Sequence, residues 1–193
     1  MDWSTLPTRP FEGFHEAEDQ AEGKVLLEDG RKLRVRSGFN IRELGGYATQ
    51  DGPTRYHRFL RSGGTRSLTE GDLGLLRTWG VTRVTDLRSI GESPQLTCRF
   101  AKQDWVEWSN VPLYEYDMSA PAMRPVRDSG GFFVAGYLRM LSSTMSMRRL
   151  FAFFAEAGPA ECVLFHCAAG MDRTGVCSCA VHDSRKNVRS ECQ

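Results

Sequence analysis

Phe165-His166-Cys167-Ala168-Ala169-Gly170-Met171-Asp172-Arg173-Thr174-Gly175 decides how this chain is read. An apolar run, Cys162-Val163-Leu164-Phe165, enters it as a strand, and Arg173-Thr174-Gly175 opens a helix behind it. A strand–loop–helix turn of this length points successive backbone N–H groups inward, and the helix N-terminus adds partial positive charge. The loop Ala168-Ala169-Gly170-Met171 is therefore a cup for an anion. The same field lowers the pKa of Cys167, which predicts a thiolate nucleophile near neutral pH. Arg173 offers a planar fork to two oxygens of the anion, a geometry that lysine cannot copy.

The spacing of cysteine and arginine is weak evidence by itself. Cys179 and Arg185 repeat it, but with no glycine between them, no Ser/Thr-Gly after the arginine and no apolar strand before the cysteine. Without a counterpart of Gly170 the backbone cannot fold its amides closely around an anion. The second copy is read as coincidence.

The first copy resembles the loop of cysteine-dependent protein tyrosine phosphatases. Upstream, Asn40-Ile41-Arg42-Glu43-Leu44-Gly45-Gly46-Tyr47, Arg61-Ser62-Gly63, Leu68-Thr69-Glu70 and Asp86-Leu87-Arg88-Ser89 follow in order. The set is similar to the bacterial tyrosine-protein phosphatase family that carries N-F-R-D-L-G-G, R-S, D-L-R and H-C-x-A-G-K-D-R-T-G blocks, and it spans roughly Lys32 to Val176. The resemblance implies hydrolysis of phosphomonoesters through a cysteinyl-phosphate intermediate, with no metal and no cofactor. It also implies a phosphotyrosine protein, or another phosphomonoester, as partner. Phosphoinositide and dual-specificity activity are the alternatives within the enzyme class. The family's loop lysine is Met171 here, which weakens the lipid alternative. A sulfurtransferase also uses a loop cysteine, but Arg173-Thr174-Gly175 and the upstream Asn-x-Arg block argue against it.

Roles follow by position. Cys167 attacks phosphorus, and Arg173 and the loop amides bind the phosphoryl oxygens. Thr174 donates its hydroxyl to the departing thiolate, His166 orders the loop, and Gly175 lets the helix start close to it. A general acid is also required. Asp172, which matches the aspartate of the family's K-D-R step, is the first candidate, Asp86 the second and Asp117 the third. Arg42 and Glu43 are expected to wall the loop by ion pairing. Cys177, Cys179 and His182 lack the second ligand pair of a metal site.

A chain of 193 residues, 40% hydrophobic and 25% charged, suits one soluble globular domain. Residues 1–22 read as a polar lead-in and 23–193 as the phosphatase domain. A formal charge of +1 gives no basic field for nucleic acid. The N-terminus has no apolar signal core, and no apolar run reaches membrane-spanning length. Six cysteines clustered toward the C-terminus make no disulfide framework, so a reducing cytoplasm is expected. The tail Asp183 to Gln193 is polar without amphipathic period, where family members continue with apolar helices. The chain therefore reads as shortened there, and a phosphate-binding remnant without catalysis is the alternative outside the enzyme class.

Element signals predict a layered α/β fold, a central sheet flanked by helices. They place a hairpin of Val25-Leu26-Leu27 and Leu33-Arg34-Val35 about Asp29-Gly30, a loop over residues 40–47 and a strand at Phe59-Leu60-Arg61. A helix follows a capping box at Ser67-Leu68-Thr69-Glu70, and a buried strand runs from Val81 to Leu87. Residues 89–130 read as irregular apart from a strand near Val106 to Leu113. Residues 131–157 read as one bent helix or two.

Overall fold

The computed structural model describes residues 27–28, 31–49, 52–92, 97–113 and 132–187. The expected lead-in, the Asp29-Gly30 turn and Asp117 lie outside the described residues.

Among the described residues seven strands form one mixed sheet: β1 (Leu27–Glu28), β2 (Lys32–Leu33), β3 (Arg42–Glu43), β4 (Phe59–Ser62), β5 (Val81–Asp86), β6 (Glu107–Asn110) and β7 (Cys162–His166). Their order is β1-β2-β3-β4-β7-β5-β6. The strands from β1 to β4 pair antiparallel, whereas β4, β7, β5 and β6 run parallel. Among the described residues four helices flank the sheet: α1 (Glu70–Thr78), α2 (Phe132–Ser142), α3 (Thr144–Ala155) and α4 (Asp172–Asn187). This is the layered α/β architecture that the sequence implied.

β7 lies between two parallel neighbours and is buried along its whole length, which is why it reads as an unbroken apolar run. Its alternation feeds two cores. Cys162 and Leu164 join Leu60, Val84 and the α1 residues Leu73 and Leu76 on one face. Val163 and Phe165 join Phe59, Phe154 of α3 and Cys177 of α4 on the other. Strand ends are aligned, with Ser62 and Asp86 both level with His166. Whatever follows His166 therefore emerges at the carboxyl edge of the parallel strands, where α/β sheets bind ligands.

Several expectations need adjustment. The two strands of the expected hairpin pair antiparallel, Leu27 with Leu33 and Glu28 with Lys32. Residues 42–43, expected within a loop, form the short strand β3 against β4. The box that caps α1 starts two residues later than expected: Thr69 is the N-cap and Asp72 closes the box, while the Ser67 hydroxyl donates to the Ser37 carbonyl instead. Residues 131–157 hold two helices, broken at Ser143, where serines compete for the backbone. Helix α4 runs to Asn187 despite its polar composition, because Thr174, Cys177 and Val181 give it a buried stripe. Cys179 and Arg185 both lie within this helix, so no loop separates them.

The α1 cap is a local and separable contribution. Thr69 Oγ1 accepts from the Asp72 N–H at 3.2 Å, and Asp72 Oδ2 accepts from the Thr69 N–H at 2.9 Å. Thr69→Ala is expected to reduce unfolding stability by about 1 kcal/mol, seen as a lower urea midpoint with an unchanged slope. An unchanged midpoint would show that the box contributes nothing.

Candidate active site

Cys167 follows the last residue of β7, and α4 begins at Asp172, so four residues make the loop between them. Every carbonyl from Cys167 to Met171 has a partner. The Cys167 oxygen lies 3.3 Å from His166 Nδ1, and that of Ala168 accepts from the Gly64 N–H at 2.7 Å. Asn40 Nδ2 donates to Ala169 at 3.3 Å and to Gly170 at 3.0 Å, and Arg61 Nη2 adds 2.7 Å to Gly170. The Met171 oxygen accepts from the Gly175 N–H at 2.7 Å. In a trans peptide the C=O and the following N–H point in opposite directions. Carbonyls held by surrounding segments therefore turn the N–H groups of residues 168–172 toward the other side. The Gly170 N–H accordingly reaches Cys167 Sγ at 3.3 Å. Gly170 has φ +69°, and a Cβ on it would lie 2.6 Å from the Gly63 nitrogen, so a side chain there meets both strain and a clash.

Cys167 is almost fully enclosed, at 2% exposure. Burial by itself would raise the Cys167 thiol; the Thr174 hydroxyl and N–H, the Arg173 charge and the Gly170 N–H outweigh it and hold the thiol below its ordinary range. The Thr174 hydroxyl donates to Sγ at 3.1 Å. Arg173 lies one residue earlier and is half-buried. Its Nη1 and Nη2 donate to the two oxygens of Glu92 at 2.5 and 3.0 Å. Glu92 is held at about 2: burial would raise it, but the Arg173 guanidinium and the Ser89 N–H and hydroxyl prevail.

The candidate acids sit in contrasting places. Asp172 opens α4, partly exposed, and its Oδ1 accepts from the Tyr137 hydroxyl at 2.6 Å. Tyr137 is raised above its ordinary range, by that hydrogen bond first. Asp86 is fully buried. Arg88 donates to it from Nε at 2.9 Å, from Nη2 at 2.6 Å and from its backbone N–H at 3.0 Å. The wall expected from ion pairing is built differently. Arg42 donates Nε to Asn40 Oδ1 at 3.0 Å, so it acts on the loop through Asn40. Glu43 is buried and accepts from the N–H groups of Leu44, Gly45 and His57 and from Trp79 Nε1. Burial pushes Glu43 up to about 7 against these four donors.

A model of the tyrosine phosphatase family matches residues 33–184. The chain belongs to that family. It is also 30% identical over 166 residues to a protein of Cupriavidus necator described as a candidate tyrosine-protein phosphatase. The match takes in 83% of this chain and 60% of that protein, so the chain spans less than two thirds of this relative's length. Among the described residues no helix is long and apolar enough to cross a membrane.

The structure brings Cys167, Arg173, Thr174, His166 and the loop amides together and sets Asp172 at the loop's exit. Glu92, Arg61 and Tyr137 were given no role from sequence. Glu92 lies four residues beyond Arg88, inside a stretch read as irregular, where a one-turn helix (Ile90–Glu92) carries it back toward the loop. Removing the hydroxyl that supports the sulfur tests the electrostatics directly. Thr174→Ala is expected to move the pH midpoint of iodoacetamide alkylation at Cys167 upward, with the circular dichroism spectrum unchanged. A midpoint that stays in place would show that Thr174 does not stabilise the thiolate.

Proposed function

We propose that this chain is a phosphomonoesterase acting first on phosphotyrosine, through a cysteinyl-phosphate intermediate. The carrying observation is the convergence of outward-held carbonyls, an enclosed low-pKa sulfur and the Arg173 fork on one loop.

In the first step the Cys167 thiolate attacks phosphorus and the ester oxygen leaves with the electron pair of the broken P–O bond. Asp172 gives that oxygen a proton. The loop N–H groups and Arg173 receive the charge spread over the equatorial phosphoryl oxygens. In the second step the Asp172 carboxylate takes a proton from water, the oxygen attacks phosphorus, and Cys167 leaves as thiolate toward the Thr174 hydroxyl. Inorganic phosphate is released, and no metal enters the reaction. Asp172 fits the acid role because it is partly exposed at the loop's exit. Asp86 fits a positioning role, since Arg88 engages both its oxygens below the loop. A reducing cytoplasm suits a nucleophile that must stay unoxidised.

Preference for an aryl ester rests on the surroundings of the loop. Met171 within it is 61% exposed, and Phe39, Ile90 and Tyr137 are exposed on segments that touch it. These side chains offer apolar contact to a phenyl ring, whereas a polyanionic lipid headgroup would call for cations. Phosphotyrosine peptides are therefore expected to be hydrolysed faster than phosphoserine peptides or phosphoinositides.

The test is turnover of p-nitrophenyl phosphate and of that substrate panel by purified protein. Cys167→Ser is expected to abolish activity. Arg173→Ala is expected to reduce kcat/KM by about 10³–10⁵-fold, the range for an arginine that stabilises phosphoryl charge. Activity that survives Cys167→Ser would reject the mechanism. Asp172→Asn is expected to slow turnover by about 10²–10⁴-fold for esters with poor leaving groups and much less for good ones. A uniform effect at Asp172, with a graded one at Asp86→Asn, would reassign the acid.

A further inference from the structure

Beneath the loop, three electron-donating atoms face one another. Cys98 Sγ lies 3.4 Å from His166 Nε2, and Asp86 Oδ2 lies 3.6 Å from the same nitrogen. A donor atom from each of the three residues lies within 4.8 Å of the other two. All three residues are buried, Asp86 and His166 completely. His166 Nδ1 faces the Cys167 carbonyl oxygen, and an acceptor there requires Nδ1 to carry the hydrogen. In the neutral ring Nε2 is then a bare lone pair. A lone pair, a sulfur and a carboxylate oxygen crowded in a dry interior repel unless a positive centre lies among them. That centre is a proton or a metal ion.

The spacing fits a metal. A tetrahedral zinc-class ion, with bonds of about 2.3 Å to sulfur and about 2.0–2.2 Å to nitrogen and oxygen, sets sulfur and nitrogen about 3.6 Å apart and nitrogen and oxygen about 3.4 Å apart. The observed sulfur–nitrogen separation of 3.4 Å and nitrogen–oxygen separation of 3.6 Å each come within about 0.2 Å of those edges. Outer contacts that orient such ligands are also in place: His166 Nδ1 on a backbone carbonyl, and Arg88 on both oxygens of Asp86. Sulfur, imidazole and carboxylate together suit zinc rather than magnesium or calcium. The Thr65 hydroxyl, 3.6 Å from Cys98 Sγ, adds an oxygen beside the cluster as a fourth donor. With the thiol ionised, the thiolate and carboxylate outweigh the Arg88 charge by one, so a divalent cation is electrostatically acceptable.

We propose that Asp86, Cys98 and His166 form a binding site for a zinc-class divalent cation on the inner side of the loop. The ion touches none of the reacting atoms. It ties the Cys98 segment to the ends of β5 and β7, so occupancy stabilises the fold without taking part in phosphoryl transfer. The site does not rest on the phosphatase reading.

The experiment uses the Cys167→Ser chain, so that the nucleophile cannot supply the sulfur. Zinc titration by calorimetry is expected to show one equivalent bound, and cobalt to give a thiolate charge-transfer band with intense tetrahedral d–d absorption. Cys98→Ser and Cys98→Ala are each expected to weaken binding by at least about tenfold. Zinc-edge X-ray absorption on the same protein needs no substitution at the site. It is expected to find one sulfur at about 2.3 Å and nitrogen or oxygen at about 2.0 Å. No saturable binding, a coordination shell without sulfur, or binding untouched by both Cys98 variants would overturn the site and leave a proton as its occupant.

Discussion

The arrangement depends on the carbonyl groups of residues 167–171 being held away from the sulfur. A short loop left to itself has no reason to present its N–H groups on one side. Here Asn40, Gly64, Arg61 and the His166 side chain hold four of the five carbonyls, and the first turn of α4 holds the fifth. Two of these partners come from β4 and the residue pair after it, and Asn40 sits just before β3. The antiparallel half of the sheet therefore does more than extend the core. It delivers the partners that give the loop its polarity, and the parallel half delivers the loop itself.

Electrostatics at the sulfur then follow from opposed effects. Enclosure favours the neutral thiol, while the Thr174 hydroxyl, the local N–H groups and Arg173 favour the thiolate. Glu92 sets the plane of the Arg173 guanidinium through two hydrogen bonds and offsets part of its charge. The fork is thereby fixed in direction, which would reduce the reorganisation required by the proposed binding of a phosphoryl group. The two aspartates divide along the same lines. One carries a hydrogen bond from Tyr137 at an accessible helix start, and the other is locked to Arg88 inside the sheet. Environments that differ this much give two carboxylates different tasks.

The parts legible in the sequence were those set by short-range pattern. The apolar run into Cys167, the glycine at 170 and the Arg173-Thr174-Gly175 step located the loop, and alternating strands and helices gave the α/β class. What stayed hidden depends on tertiary packing. Arg42 and Glu43 were both read as walling the loop by ion pairing. On a strand, adjacent side chains point to opposite faces, so Glu43 went into the core and Arg42 out to Asn40. Glu92 carried no local pattern, because only the return of a one-turn helix brings it to Arg173. Helix α4 was missed beyond residue 182 because Asp183-Ser184-Arg185-Lys186-Asn187 carries three charges and no apolar residue. Its helicity comes from Thr174, Cys177 and Val181 packing under the sheet, as most helical stability does.

A layer of charged and polar groups under such a loop needs a physical reason, because buried ionic groups are often no more stable than apolar replacements. Asp86, Arg88 and His166 lie at or just beyond the ends of β5 and β7, with Cys98 packed against His166. Apolar residues there would leave the Cys167 carbonyl without the partner that His166 Nδ1 provides. That carbonyl belongs to Cys167, the proposed nucleophile, and its direction sets where the next N–H points. The polar layer is therefore tied to the loop by one specific bond, and the cluster that orients His166 reaches the sulfur through it. This connects the buried floor to the chemistry above it, whether a proton or a cation sits among the three donors.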